Sequence, residues 1–114
     1  MALGVRLGLK AREALEAKGY FDLEVEVRCP LRPPYSCVVD GVMVATGCTP
    51  GKGNLKAVES NSPSVIARSK RGGEVLVKPR RSLWERLCGG FPAEEMPRMA
   101  EEIISSPEAE VLEA

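Results

Sequence analysis

The sequence predicts an α+β domain: an N-terminal helix, a central short antiparallel sheet carrying a helix and a Gly-rich loop, and a helical C-terminal tail. Three observations carry that reading. Apolar residues near both ends recur at helical spacing, those in the middle alternate or form short β-rich runs, and the two patterns are segregated instead of alternating as βαβ units. At 114 residues, 44% of them hydrophobic, the chain has the size of one domain with one core, spanning 1–114.

From Ala2 to Lys18, Leu3, Leu7, Ala11, Ala14 and Leu15 recur at the spacing of one helical face, with Gly19 as the stop. Gly4 and Gly8 lie four apart inside this helix, where each costs about 1 kcal/mol relative to Ala. Their presence points to close approach by another backbone, with a partner chain, a neighbouring helix and a bound ligand all open. Asp22 to Arg28 alternates Leu23, Val25 and Val27 with Glu24, Glu26 and Arg28, the period of a strand with one wet face. Pro30, Pro33 and Pro34 end it. The run CVVDGVMVAT is apolar enough for a buried strand or a buried helix, and its length favours a helix with Ser36 as N-cap.

GCTPGKGN is a loop of special backbone geometry. Leu55 to Glu59, Ser64 to Ser69 and Glu74 to Lys78 follow, separated by Asn61-Ser62-Pro63 and Arg71-Gly72-Gly73, and read as an antiparallel meander. Beyond Pro79 the helical period returns: Ser82 to Leu87 around Trp84, then Ala93 to Ser105 with Met96, Met99, Ala100, Ile103 and Ile104 on one side, and a short turn of helix from Pro107 to Leu112.

Composition excludes several classes. Aromatics are only 4% of residues, which leaves few platforms for base stacking, and sixteen basic residues balance sixteen acidic ones, so no global field draws the chain to nucleic acid. No apolar run approaches the roughly 18 residues a bilayer span requires, and Arg6, Lys10 and Arg12 interrupt the N-terminus. The chain is expected in the cytoplasm. Charge is nonetheless segregated, with Arg68, Lys70, Arg71, Lys78, Arg80 and Arg81 in one stretch and seven glutamates from Glu94 onward. These are either two solvated faces or self-complementary docking surfaces of an oligomer.

The chain has no histidine, so Ser-His and Cys-His dyads and imidazole metal ligands are excluded. Cys29, Cys37, Cys48 and Cys88 are eight, eleven and forty positions apart, unlike the close pairs of structural zinc sites, and are read as thiols in a reducing compartment. Gly47-Cys48-Thr49-Pro50-Gly51-Lys52-Gly53 invites comparison with a P-loop, but the glycine spacing is one residue short and Gly53 stands where a hydroxyl is needed. It is either a tight turn or a looser anion site of backbone amides plus Lys52. Cys37, just past the expected N-cap, would gain thiolate character from the helix dipole and unpaired amides or else is a buried packing cysteine, as is open for Cys48 too, and Asp40 follows three residues later, suited to accept a proton, ligate a cation or hydrogen-bond the neighbouring loop.

The run CVVDGVMVATGCTPGKGNL, Cys37 to Leu55, resembles the signature of the FmdE family of formylmethanofuran dehydrogenase subunits: a Cys before an Asp-centred helix, then a Thr-Gly-Cys-Thr and Gly-Lys/Asn-Gly-Asn-Leu loop. The following strands and the helix-rich tail fit as well. The resemblance implies an α+β core that pairs into homodimers, and a site formed by Cys37, Asp40, Cys48, Thr49, Lys52 and Asn54. Within it Cys37 and Cys48 would be thiolate ligands or redox groups, Asp40 an acid/base group, and Thr49, Lys52 and Asn54 would orient a small anionic ligand. Family members open with His-Gly-His-x-Cys-Pro-Gly ahead of a helix like Ala2 to Gly8, and some end in a cysteine-rich zinc finger. Met1 falls just after the place of the first motif, so the expectation is a core domain without the His/Cys motif and without the finger.

By the same resemblance, zinc or another divalent metal belongs to a protein carrying the N-terminal motif, and no tightly bound metal is expected in these 114 residues. The implied role is an accessory or binding protein of molybdenum or tungsten formylmethanofuran dehydrogenase, in one-carbon metabolism and methanogenesis, with the dehydrogenase chemistry on other subunits. Two other readings stay open: a thiol-dependent enzyme acting on a small anionic substrate through Cys37, and a structural dimer module.

Overall fold

The computed structural model describes residues 1–16, 23–90 and 93–113. Helix α1 (Ala2–Ala14) buries Leu3, Leu7 and Ala11, the apolar face expected of it, and ends at Leu15, which caps it. The expected stop at Gly19 lies outside the described residues. Strand β1 (Leu23–Cys29) turns Leu23, Val25, Val27 and Cys29 inward with polar residues between, the period-two pattern of a half-buried strand. Helix α2 (Cys37–Thr46) follows, then a 3-10 turn (Pro50–Lys52) and strands β2 (Leu55–Glu59), β3 (Ser64–Ser69) and β4 (Glu74–Val77). The tail is helical: α3 (Arg81–Cys88), a second 3-10 turn (Ala93–Glu95), α4 (Met96–Ser105) and α5 (Glu108–Val111).

Helices outside and strands within make the fold α+β, as expected, but the sheet is mixed and its order is β2-β1-β3-β4. The expected meander of three consecutive antiparallel strands is therefore corrected. Only β3 and β4 form a hairpin; β1 lies between β2 and β3, parallel to β2 and antiparallel to β3. The physical reason lies at Asn61-Ser62-Pro63. These residues do not close a hairpin but pass over the end of β1, where Ser60 N–H donates to the Cys29 carbonyl at 3.0 Å and Ser64 comes to lie opposite Arg28. Because β1 and β2 are parallel, their connection must be a crossover, and α2 supplies it.

The core forms between the inner face of the sheet, with Leu23, Val25, Val27, Val65, Ala67 and Val77, and the apolar faces of α1 and α2. These two helices pack backbone to backbone. A Cβ on Gly4 would lie 2.1 Å from the Val38 carbonyl oxygen, one on Gly41 2.1 Å from the Met1 carbonyl oxygen, and one on Gly8 2.7 Å from the Ala45 Cβ. Of the alternatives left open for Gly4 and Gly8, the neighbouring helix is the one realised.

The stretch after β4 and the end of the tail meet through backbone carbonyls. Arg80 N–H donates to the Val111 carbonyl at 2.7 Å, Glu113 N–H to the Lys78 carbonyl at 2.9 Å, and the Arg80 Nε to the Ala109 carbonyl. Lys10 pairs with Glu108 at 3.2 Å and Arg86 with Glu102 at 2.9 Å. The acidic tail thus lies along the basic segment after β4, and the bridge between Pro79 and Leu112 extends that edge of the sheet.

Candidate functional site

Helix α2 starts and stops where the sequence placed it, but its start is built differently. Ser36 occupies the N-cap position and makes no side-chain cap bond. The preceding residues already wind as a turn and provide the acceptors: Cys37 N–H reaches the Pro34 carbonyl at 3.2 Å, Val38 N–H that of Tyr35 at 3.2 Å, and Val39 N–H that of Ser36 at 3.0 Å. The unpaired amides expected to favour a Cys37 thiolate are thus occupied. Cys37 is half-buried and Asp40 exposed, in the first turn where its charge opposes the positive end of the helix dipole.

At the other end of α2, Gly47 takes the left-handed conformation, φ 74°, that ends a helix with little penalty only in glycine. The loop beyond it is closed by its own polar groups. Thr46 Oγ1 donates to the Val42 carbonyl at 2.7 Å and accepts from Cys48 N–H at 3.1 Å. Thr49 Oγ1 caps the 3-10 turn by accepting from Lys52 N–H at 3.1 Å, and the buried Asn54 Oδ1 accepts from Thr49 N–H at 2.9 Å. Gly53 N–H reaches the Pro50 carbonyl at 3.0 Å. Lys52 Nζ donates to the Gly47 carbonyl at 2.7 Å, a cation at the negative end of α2. The amides of Cys48, Thr49, Lys52 and Gly53, which an anion site would aim at its ligand, all have protein acceptors.

Cys48 is fully buried, with its Sγ 3.5 Å from the Leu23 carbonyl. Burial pushes its thiol above the ordinary value of 9.0, against smaller opposing effects of the Thr46 hydrogen bond and of Lys52 and Lys70. Cys29, at the far end of β1, is shifted the same way by burial and by Glu59. Both lie in the buried core cluster, and all four cysteines are free of disulfides.

The structure brings Cys48, Thr49, Lys52 and Asn54 together and holds Cys37 and Asp40 away from them. Cys37 opens α2 and Cys48 lies two residues beyond its last, so ten helical residues, about 15 Å of rise, run between them. A zinc ion needs about four ligands at roughly 2.0 to 2.3 Å, and these two thiols do not converge on one. Among the described residues no group of three or more His, Cys, Asp or Glu is placed to hold a metal. The ligand set expected from Cys37 and Cys48 together does not fit one ion.

Two features escaped the sequence reading. Arg6, read only as a polar interruption, donates from Nη1 to the carbonyls of Ile103, Ile104 and Ser106 at 3.3, 2.9 and 2.7 Å, satisfying the open C-terminal end of α4. No short-range pattern announces a contact across nearly the whole chain. The second is an apolar cleft of about 150 Å³ between the start of α1 and the α3–α4 pair, where Tyr35 and Trp84 meet edge to face with centroids 5.7 Å apart. The scarcity of aromatics was the available signal, since two of the five fall here.

The family model described as FmdE, molybdenum formylmethanofuran dehydrogenase operon, matches residues 1–113. The chain belongs to the FmdE family. The FmdE match spans every described element, including the α2 start and the loop in which the signature lies. No curated protein matches the chain. No helix of the FmdE chain is long and apolar enough to cross a membrane among the described residues.

Proposed function

We propose that this FmdE chain is an accessory or binding protein of molybdenum or tungsten formylmethanofuran dehydrogenase and that the oxidoreductase chemistry resides on other subunits. The single observation that carries the reading is the family match over residues 1–113, in a family whose description refers to the operon of that enzyme. The geometry supports a binding role over a catalytic one. Of the six signature residues, Cys48 and Asn54 are buried, and Thr49 and Lys52 hold the turn in shape through bonds to their own loop.

Cys37 and Asp40 keep solvent access on α2, two turns and one turn from Val44, which is 72% exposed. This stripe is the proposed contact for the enzyme complex or its small ligand. The test is co-elution of the purified chain with purified formylmethanofuran dehydrogenase. A stoichiometric complex weakened by Asp40→Arg and Val44→Glu is expected; absence of any complex at tens of micromolar would reject the reading.

A homodimer belongs to the same proposal, with altered support. The glycines of α1 are engaged by α2 and so do not serve a second copy, while residues 78–80, at the end of the basic stretch, pair with the backbone of the tail of the same chain. The outer edges of β2 and β4 are the strand edges that the sheet order offers to a second copy. Light scattering across protein concentration should give twice the chain mass; a persistent single-chain mass would remove the dimer.

A further inference from the structure

The backbone bonds of the sheet fix which groups each outer strand leaves unpaired. In β2 the Asn54 carbonyl accepts from Val25 N–H at 2.9 Å and Ser60 N–H donates to the Cys29 carbonyl at 3.0 Å, with Val25 in register with Leu55 and Cys29 with Glu59. Backbone groups alternate sides along a strand, so residues 54, 56, 58 and 60 face β1, while Leu55, Ala57 and Glu59 turn N–H and C=O to the outer edge. In β4, Ser69 N–H donates to the Gly73 carbonyl at 2.9 Å, and by the same alternation Glu74, Leu76 and Lys78 face outward. That edge is partly taken, because the tail covers its end: Glu113 N–H donates to the Lys78 carbonyl and Arg80 N–H to that of Val111. The β2 edge has no such cover among the described residues, and neither proline nor glycine interrupts Leu55 to Glu59.

Apolar surface surrounds this edge. Ala57 is exposed although it shares a face of the sheet with the buried Leu55. Leu31, whose N–H reaches Glu59 Oε1 at 3.2 Å, is 43% exposed beside it. Helix α1 packs over β3 and β4 and α2 over β1, so α2 is the helix nearer to β2. On α2, Gly41 and Ala45 face α1, and Val42 and Thr46 are buried. At about 100° per residue, Val39 and Met43 come round to the flank away from α1, where both are only half-buried, and the exposed Asp40 and Val44 point away from the sheet.

We infer that β2 pairs antiparallel with β2 of a second copy about a twofold axis at Ala57, joining two four-stranded sheets into one. The inference rests on the homodimer proposed above and assigns its surface. A second copy fits because the pairing is self-complementary. Ala57 meets its own mate, Leu55 lies opposite the partner's Glu59, and the outward groups of these residues exchange about six N–H···O bonds. At the axis identical side chains meet with Cα atoms about 5.5 Å apart, where the small, uncharged Ala57 is tolerated and a charge would repel its mate. Five paired residues by themselves bury less than the about 1,200 Å² of a stable interface. Leu31 extends the contact, as do the Val39–Met43 flanks of the two α2 helices, whose axes come to lie about 14 Å apart. The stripe of Cys37, Asp40 and Val44 stays outside the contact and is presented twice on one side of the joined sheet.

Three variants of the full chain test this. Cysteines introduced by Ala57→Cys would face each other within the about 4.4 to 6.8 Å Cα separation that a disulfide spans, so mild oxidation should give a covalent dimer whose digest holds a peptide joined 57 to 57. Leu76→Cys, the same measurement on the β4 edge, should give no link from 76 to 76. Because the N–H of residue 57 points outward, Ala57→Pro leaves the bonds to β1 in place. Its circular dichroism should be unchanged while light scattering falls from twice the chain mass to one, a dissociation constant raised roughly 100-fold or more. Should Ala57→Pro fail to fold, Ala57→Lys makes the same comparison with like charges at the axis. A protein of twice the chain mass that gives no 57-to-57 link, links at 76, or survives Ala57→Pro as a dimer refutes the pairing and leaves the homodimer standing. A single-chain mass in the unsubstituted protein refutes both. If Ala57→Pro weakens binding to formylmethanofuran dehydrogenase while the dimer persists, the edge belongs to the enzyme and the pairing is likewise refuted.

Discussion

Replacing Gly41 by Ala sets two opposing effects against each other in a way the structure decides. In an exposed helix interior the change would stabilise by about 1 kcal/mol, because Ala is the better helix former. In α2 the new Cβ would lie 2.1 Å from the Met1 carbonyl oxygen, 2.7 Å from Val5 N and 2.9 Å from Gly4 C, all backbone atoms of α1 or its N-cap that no rotamer change can withdraw. Relief requires the helices to separate by roughly 1 Å, loosening the face on which Leu3, Leu7, Val38 and Val42 are buried. Overpacking a core typically destabilises by about 1 to 3 kcal/mol, and rigid neighbours place this case at the upper end. The net expectation is a loss of about 2 kcal/mol, which lowers the melting temperature on the order of 10 °C for a domain of this size. Calorimetry of Gly41→Ala beside Gly89→Ala is the assay. Gly89 has an ordinary φ of −67° and its nearest neighbour would be 3.4 Å from the added Cβ, so that substitution should leave the melting temperature within about 2 °C. Gly4→Ala, against the Val38 carbonyl, repeats the test from the other helix. A Gly41→Ala protein as stable as the original, or more so, would refute the backbone-to-backbone contact.

Asn54→Ala leaves the Thr49 N–H without its buried acceptor and should lower stability by about 1 to 3 kcal/mol in urea unfolding, with the fold retained. Alkylation of the native protein should label Cys88 first and Cys37 more slowly, and reach Cys29 and Cys48 only on unfolding, as mass spectrometry of the labelled peptides would report. The raised thiols of Cys29 and Cys48 also set a sign for pH. Above the ordinary value of 9.0 the unfolded chain ionises them first and binds fewer protons than the native one, so their contribution is complete below that pH and is lost as pH rises toward the folded values. Stability should therefore fall above about pH 9, less steeply in Cys48→Ala, by urea titrations at several pH values. Elemental analysis after dialysis should find no stoichiometric zinc, since Cys37 and Cys48 sit at opposite ends of α2; one zinc per chain would reveal a ligand set that geometry does not suggest.

The elements themselves were legible because each is written in local periodicity: α1 in its apolar face, β1 in its strict alternation, α2 in an apolar run closed by Gly47. The signature of the family was legible in the same way, as a short ordered string from Cys37 to Leu55. What local patterns do not carry is which surfaces meet. Asn61-Ser62-Pro63 has the composition of a hairpin turn, yet β1, with both edges free and an apolar inner face, takes the place between β2 and β3. Nothing within five residues of Gly4 distinguishes a contact with α2 from a contact with another chain; only the 2.1 Å distance to Val38 does.

The candidate site divides along the same line. The sequence by itself determined that these 114 residues hold no imidazole, that a Gly-rich turn follows an apolar helix, and that Cys37 and Cys48 flank that helix. Only the tertiary structure decided what those groups do, because hydrogen bonds are satisfied by whichever partner is nearest in space. The loop amides found Thr46, Thr49, Asn54 and Pro50 instead of an anion, Lys52 found the Gly47 carbonyl, and the rigid rise of α2 kept the two thiols apart.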